Sequence, residues 1–432
     1  MPKVMDLIDE EEIDLGASYD FDYPNVNGEL AHGQISKSTM DDLQELDEET
    51  KEIDQLVPVS YALESIQTVF ENSPHTSMQR GTALALETAL KQMLGRNNRT
   101  VSLEHFEGRY ARLVGTKLAM EDLASKVRLI IGKILRWIKR MVVVVYDLIE
   151  NIISGADTVS RSASKLQDAA SQVANKYGKD LKDAGVIENA KLARYFTKHD
   201  GTNAFTGEEI CKRYLDFCHT FNDALSERTA VGGSNFISSQ VQSILSQKKT
   251  GKFNDATALQ VSDNAISTMV KTNFAQFKKG KEDKYEYQLP FGGAYFVLSV
   301  EKRNNKAAGL SFEIDNRDET RMDTLPILSP NQVREIARAV ESSMHKGIYR
   351  DYRKIKASLY SLKTKIFDMC DAISREQRNT MNGDIPSLHF LKTISDTMFG
   401  VVKSTYAYNG AAARAMLNYG WASLQAIHKQ NK

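Results

Sequence analysis

The feature of the sequence that most constrains the fold is the absence of proline between His75 and Leu289. Proline breaks helix interiors, and this stretch is instead rich in Ala, Leu, Lys, Gln and Glu, which favour helices. Gly155 is the predicted break in the longest helical pattern. We therefore predict helices at 59–72, 78–95, 102–153, 156–178, 186–198, 206–228, 235–247 and 256–278.

The segment 285–300 departs from this helical pattern because it is aromatic and β-branched, and a second run at 310–314 alternates apolar and polar residues. Both runs are typical of strands, and the turn-rich residues 303–306 lie between them. A two-stranded hairpin is marginal alone, so we expect these strands to pack on helices.

Two further helix starts are marked by capping residues. Thr206 and Glu209 have capping-box spacing, and Ser329 is followed by Pro330 and by Gln332 at the third helical position. From Ser329 we predict a helix to about residue 375, and then a last helix from about 387 to 428, bent near Gly400 or Gly410.

The sequence thus predicts a mainly α protein, with long helices in a bundle-like arrangement and a small antiparallel β hairpin or sheet insertion. The predicted units are an acidic leader at 1–64, with a second candidate boundary at 104, a helical domain at 65–280, the β insertion at 281–327 and a C-terminal helical hairpin at 328–432.

Charge is distributed unevenly along the chain, although 56 basic and 56 acidic side chains give a formal net charge of zero. Residues 1–64 hold 18 acidic and 3 basic side chains, so residues 65–432 hold the other 38 acidic and 53 basic ones, a net charge of +15. Blocks of like charge resist compaction. We therefore predict a disordered acidic leader on a basic body, the alternative being a solvated tail without a role.

Signatures of catalytic, cofactor and metal sites are missing from the sequence, including GxGxxG, GxxxxGK[ST], HExxH, CxxC and GxSxG. Cys211 and Cys218, beside His219, share a predicted helix, but no second ligand pair follows at zinc spacing. Two half-buried helix cysteines are therefore favoured over metal ligands. We predict a protein that is not an enzyme and that has no cofactor and no metal.

The most distinctive segment is 126–146, a cationic amphipathic helix whose wide apolar face includes Leu129, Ile134 and Trp137. It fits a helix that binds a membrane surface or a partner helix, and it also fits a core helix with one solvated face. The valines at 142–145 favour the core helix. The residues assigned to this surface are Lys126, Arg128, Lys133, Arg136, Trp137, Lys139 and Arg140.

A second basic cluster lies in the predicted helix after Ser329 and is interleaved with tyrosines. A face near nucleic-acid phosphates and an ordinary solvated face both fit it, and no nucleic-acid fold signature accompanies it. Its members are Arg350, Arg353, Lys354, Lys356, Lys363 and Lys365.

Taken together, these features resemble the internal head proteins, or virion structural proteins, of large tailed bacteriophages. The resemblance rests on the order of the segments rather than on a catalytic motif. They are the acidic leader, 101–106, 117–122, the basic helix 126–146, the strand start 289–293, the helix start 327–330 and the terminal run 411–419.

The resemblance implies a non-enzymatic protein of the capsid interior, made in the host cytoplasm and trimmed by a prohead protease. Large-phage members are cut after small-x-Glu, so Glu64 and Glu104 are the cleavage candidates. Residues 1–104 hold 21 acidic and 7 basic side chains, so a cut at Glu104 leaves a body of +14.

The implied partners are other virion head proteins, the protease and packaged DNA, bound by charge rather than by sequence and ejected with the protein. The alternative function is a membrane-active or pore-forming protein that applies 126–146 to a membrane surface.

Overall fold

The computed structural model describes residues 109–178, 185–198, 203–220, 255–317, 322–344, 349–379 and 385–430, except positions 282 and 304. It also describes nine positions from Asp42 to Leu56, all of them helical. Within these ranges the chain is mostly helical with a small antiparallel sheet, which confirms the predicted class. The helices predicted at 59–72, 78–95 and 235–247 lie outside the described residues.

The helices and strands are named here in chain order. The helices are α1 (Arg109–Tyr177), α2 (Ala190–Phe196), α3 (Gly207–Cys218), α4 (Asp255–Asn273), α5 (Pro330–Ser342), α6 (Tyr349–Asn379) and α7 (Ile385–Gln430). The strands are β1 (Val186–Glu188), β2 (Lys278–Lys279), β3 (Lys284–Gln288), β4 (Ala294–Arg303), β5 (Lys306–Asn316) and β6 (Thr324–Pro326).

Helix α1 is continuous through Gly155, so the predicted break there is wrong. A single glycine inside a helix costs only about 1 kcal/mol relative to alanine. Tertiary packing outweighs that cost because Ala156, Val159 and Ala163, just beyond the glycine, are buried. The result is one 69-residue rod on which the other long helices pack.

Contacts along α1 give the direction of the last helix. Tyr177, at the end of α1, hydrogen-bonds His428 at 2.9 Å. Nearer the middle of α1, Lys392 lies over the ring of Trp137, at 5.0 Å from its centroid. Later residues of α1 therefore contact later residues of α7, so the two helices run parallel.

Helix α6 runs the other way along α1. Lys139 pairs with Asp371 at 2.6 Å, and Glu150, three turns further on, pairs with Lys356. Helices α6 and α7 are therefore antiparallel to each other, while the division of the chain into domains, including the C-terminal helical hairpin, stays a prediction. The bundle-like arrangement of all the long helices stays a prediction.

The predicted β insertion is a four-stranded antiparallel meander in the order β2-β3-β4-β5. The β3–β4 turn needs its two glycines, because Gly292 and Gly293 have φ of 75° and 59°, a region that other residues rarely adopt. The sheet packs on α4 and α7. On α7, the hydroxyl of Thr397 donates to the carbonyl of Leu310 in β5.

A second sheet of two strands was not predicted from the sequence. Strand β1, Val186–Glu188, pairs antiparallel with β6, where a helix from 186 was expected. Residues Val186 and Ile187 are β-branched, and Asn189 then caps α2 by accepting from the amide of Leu192. The helix therefore begins four residues later than predicted.

The helix predicted from Ser329 to about residue 375 is two helices in the structure, because α5 ends at Ser342 and α6 begins at Tyr349. Residues 345–348, between the two helices, lie outside the described residues. Helix α7 agrees with its predicted bounds to within two residues and is helical through Gly400 and Gly410.

Both predicted capping boxes are confirmed. The side chain of Ser329 accepts from the amide of Gln332, whose side chain accepts from the amide of Ser329. The same reciprocal pair joins Thr206 and Glu209 at the start of α3. These boxes fix where α5 and α3 begin.

Replacing Ser329 by alanine should lower the free energy of unfolding by about 1 kcal/mol, the usual cost of losing an N-cap. Denaturant unfolding followed by circular dichroism of the full chain measures this. Ser329→Asp, which keeps a capping oxygen, is the control and should lose much less. Equal losses in the two variants would contradict a capping role for this side chain.

Candidate functional site

The predicted apolar face of the basic helix is the buried face of α1. Ile134, Ile138 and Val142 are fully buried, and Trp137 is 4% exposed beneath Lys392. Leu129 departs from the prediction, because it is 57% exposed. Burial of this face supports the core-helix interpretation that the valines at 142–145 favoured.

The solvent side of α1 carries basic side chains that meet acidic ones from the leader. Arg140 is 2.6 Å from Glu45 through one terminal nitrogen and 2.6 Å from Glu49 through the other. Two turns earlier on α1, Lys133 is 2.9 Å from Glu52. Later residues of the leader thus contact earlier residues of α1. This stretch of the leader therefore runs antiparallel to α1.

The stretch 42–56, called the acidic segment below, also has apolar contacts with the body. Leu46 and Ile53 are 6% and 4% exposed and belong to the same continuous core as α1 and α7, and Leu56 packs against it. Leu46 and Ile53 are seven residues apart, which places them on one face of a helix. Residues 1–64 were predicted to be disordered, whereas the described positions between 42 and 56 are helical.

Two carboxyl groups at this contact have shifted pKa values, in opposite directions. The hydrogen bond from Arg140 and its positive charge lower the pKa of Glu45, so this glutamate stays ionised to lower pH than a free one. Burial raises the pKa of Asp147 on α1, and the negative charges of Glu150 and Asp42 raise it further. The guanidinium of Arg140 thus favours the charged form of Glu45.

The two predicted basic clusters are brought together by the pairing of α1 with α6. Lys139 of α1 and Lys363 of α6 lie 5.4 and 5.9 Å from the ring of Phe367, and Lys363 also lies 4.9 Å from the ring of Tyr146. Lys356 forms its ion pair with Glu150 on the same pair of helices. These contacts make one mixed surface of cations, aromatic rings and carboxylates.

Several predicted site residues lack a described environment. Arg350, Arg353 and Lys354 lie in the first turns of α6, and Lys126 lies in α1, but their side chains are outside the described part. Arg128 is exposed, and Lys365 is half-buried. Glu64 and Glu104, the cleavage candidates, lie outside the described residues altogether.

A small cleft lies where the acidic segment meets α1. Arg136 contributes to it and donates to the carbonyl of Gly132 at 3.2 Å. Guanidinium and ammonium groups of this kind bind carboxylate or phosphate oxygens, and they are poor nucleophiles or general bases when ionised. The lining residues are Glu49, Glu52, Ile53, Lys133, Arg136, Trp137 and Arg140.

The cysteines are not arranged as a reactive or metal-binding group. Cys218 is buried and takes part in a hydrogen-bonded cluster with Asn409 and Ser343. Burial raises the pKa of Cys211 and of Cys370 to about 12, so both thiols stay protonated near neutral pH. Within the described ranges, no three His, Cys, Asp or Glu side chains are grouped so as to hold a metal ion.

None of the helices in the described part of the chain has an apolar stretch suited to crossing a bilayer. The feature that distinguishes the surface of this mainly helical protein is a basic helix face covered by an acidic segment.

The chain belongs to the family of phiKZ-like phage internal head proteins, whose model matches residues 9–420. The protein is therefore a structural component of the phage head interior, and membership in a structural family favours a role without catalysis. The match includes the acidic segment, α1, both sheets and most of α7, as the order of segments in the sequence had suggested. No curated protein and no solved structure matches the chain.

Proposed function

We propose that this internal head protein is made as a precursor, that a prohead protease removes its acidic leader after Glu64 or Glu104, and that the basic body then lies beside packaged DNA. The observation that carries the proposal is the pairing of leader carboxylates with basic side chains of α1, as at Arg140 and Glu45. The precursor thus covers part of its own positive surface.

The net charges support the same order of events. The whole chain is neutral, and the body from residue 65 carries +15 by sequence. A protein of that charge offsets phosphate charge without reading base sequence, because phosphate contacts dominate nonspecific binding. We further propose that the body leaves the head with the DNA and that other head proteins are its neighbours.

Mass spectrometry of the protein from purified particles tests the processing step. We expect a new N-terminus at Ser65 or His105, and an intact Met1 terminus in mature particles would refute the proposal. Comparing full particles with particles emptied of DNA tests the ejection step. Loss of the body together with the DNA is expected, and retention of the body in emptied heads would exclude ejection.

The membrane-active alternative has less support. It needs the apolar face of 126–146 to reach lipid, yet Ile134, Ile138 and Val142 on that face are fully buried against the rest of the core. Exposing them would require α1 to leave α6 and α7.

A further inference from the structure

We propose that the acidic segment, residues 42–56, is an intramolecular mask over a phosphate-binding face formed by Lys133, Arg136 and Arg140. The inference rests on the proposed function, and it deepens it by naming the surface that DNA contacts and the element that withholds it. The mask covers one defined stretch of α1. Its effect therefore depends on that contact and not on the overall charge of the leader.

The geometry at Arg140 carries the first step. Two separate carboxylates each place an oxygen 2.6 Å from a different terminal nitrogen of the guanidinium. Guanidinium groups bind phosphate through the same planar set of N–H donors. Glu45 and Glu49 therefore occupy the positions that two anionic oxygens of a nucleic-acid backbone would take.

The spacing of the carboxylates carries the second step. Glu45, Glu49 and Glu52 recur at helical intervals and follow α1 over about two turns, back from Arg140 toward its N-terminal end. A row of negative charges along a groove edge is a simple imitation of a phosphate strand. An ordinary solvated tail would not need its apolar residues to be buried in the body, as they are here.

The mask is held weakly enough to be released. Its ion pairs are substantially exposed, with the side chains of Glu45 at 62% and Glu52 at 58%, and such pairs contribute little to stability. One oxygen of Glu49 is buried without a hydrogen-bond partner among the described residues, which opposes the contact. The buried side chains of Leu46 and Ile53 supply most of the attraction.

Covalent attachment therefore decides whether the mask stays in place. A tethered segment acts at an effective concentration on the order of millimolar. A free helix of about 15 residues is marginal in water, so the same segment loses this advantage once it is a separate peptide. Cleavage after Glu64 or Glu104 converts the intramolecular contact into a weak bimolecular one and uncovers the face.

The uncovered face fits a polyanion better than a lipid or a second helix. Among the described residues of the acidic segment, Leu46, Ile53 and Leu56 pack on the core, so its departure uncovers apolar contacts at these three positions only. The cations at Lys133, Arg136 and Arg140 are instead concentrated along one line of α1. Duplex DNA presents phosphates at regular short intervals, which suits such a line.

The test compares full-length wild type with E45Q/E49Q/E52Q for binding to a fluorescent duplex of random sequence. Fluorescence anisotropy at several salt concentrations gives the affinity and its salt dependence. We expect the triple variant to bind about tenfold more tightly at low salt, with a steeper salt dependence. Neutral glutamines no longer neutralise Lys133 and Arg140 and no longer repel phosphate, so these cations gain about two phosphate contacts even while Leu46 and Ile53 stay docked. Equal affinities would overturn the mask.

Two controls separate masking from general charge. E10Q/E11Q/E12Q removes the same number of leader carboxylates elsewhere, and we expect it to gain far less; an equal gain would overturn the mask. Adding K133Q/R140Q to the E45Q/E49Q/E52Q background should abolish the gain, and a persisting gain would show that the face lies elsewhere.

Assays of particle proteins and of DNA binding together distinguish failure of this inference from failure of the proposed function. If the triple variant gains nothing but particles contain a shortened protein that leaves with DNA, the mask is wrong and the processing stands. If no full-length variant binds DNA at any salt concentration, the mask falls together with the proposed DNA contact, whatever the particle N-terminus shows.

Discussion

Replacing Phe291 by alanine is expected to lower the free energy of unfolding by about 3–5 kcal/mol, the range for removing a large buried aromatic side chain. Phe291 is fully buried in the turn between β3 and β4. Its ring centroid lies 5.7, 5.2 and 6.0 Å from those of Tyr195, Phe196 and Phe205. The substitution leaves a cavity where the sheet, α2 and α7 meet.

The hydrogen bonds of the Phe291 backbone increase the expected loss of stability beyond that caused by the cavity alone. Its amide donates to the hydroxyl of Tyr408 at 2.9 Å, and its carbonyl accepts from the same hydroxyl at 3.1 Å. A turn that shifts to fill the cavity would weaken both bonds, and the next amide, that of Gly292, donates to the carbonyl of Tyr195. The site therefore has little freedom to collapse.

Denaturant unfolding of the full chain, followed by circular dichroism, measures the effect. Tyr360→Ala is the matched control because Tyr360 is an aromatic residue on α6 that is 61% exposed, and its loss should be within about 0.5 kcal/mol. If Phe291→Ala were no more destabilising than Tyr360→Ala, the aromatic junction would not be a determinant of stability.

Local signals in the sequence were enough to predict much of the fold. The capping boxes at Ser329 and Thr206 and the strand pattern after residue 284 each depend on a few neighbouring residues. Such features are set by short-range hydrogen bonding and backbone sterics, so a single sequence reveals them.

Long-range pairing was beyond the same reasoning. Strand β1 exists because it pairs with β6, far along the chain, and a three-residue segment has no periodicity from which a partner could be deduced. The helix through Gly155 is a related case. Its continuity depends on packing by distant side chains, which outweighs a local helix-breaking preference.

Only the basic half of the candidate site was predicted from the sequence. The basic face of α1 was identified from its spacing, but the acidic segment that covers it was expected to be disordered because its charge density is high. The signal was present in Leu46 and Ile53, seven residues apart, and in the helical spacing of Glu45, Glu49 and Glu52. Two apolar positions are too few to reveal a helical periodicity unless it is known that the segment packs on α1.

A double-mutant cycle at Asn409 and Tyr214 is expected to show coupling of about 1–2 kcal/mol within the core. Asn409 is fully buried on α7, and its side-chain oxygen accepts from the hydroxyl of Tyr214 at 2.8 Å. Cys218 also lies within hydrogen-bonding reach of that oxygen, at 3.6 Å. This cluster joins α3 to α7.

Asn409→Leu should cost about 1–3 kcal/mol, because it leaves the buried hydroxyl of Tyr214 without this acceptor. Tyr214→Phe alone should cost about 1 kcal/mol, since it removes the donor with almost no change in volume. The double variant should be less destabilised than the sum of the two, because the phenyl ring has no hydroxyl left to satisfy.

Chemical unfolding of the four proteins under one set of conditions gives the coupling energy. Burial already raises the pKa of Tyr214 well above its ordinary value, so the hydroxyl is a neutral donor throughout the usual pH range and the cycle needs no correction for titration. Strict additivity would mean that the two side chains do not interact energetically. A coupling energy well above zero would show that the hydrogen bond between Tyr214 and Asn409 contributes to the contact between α3 and α7.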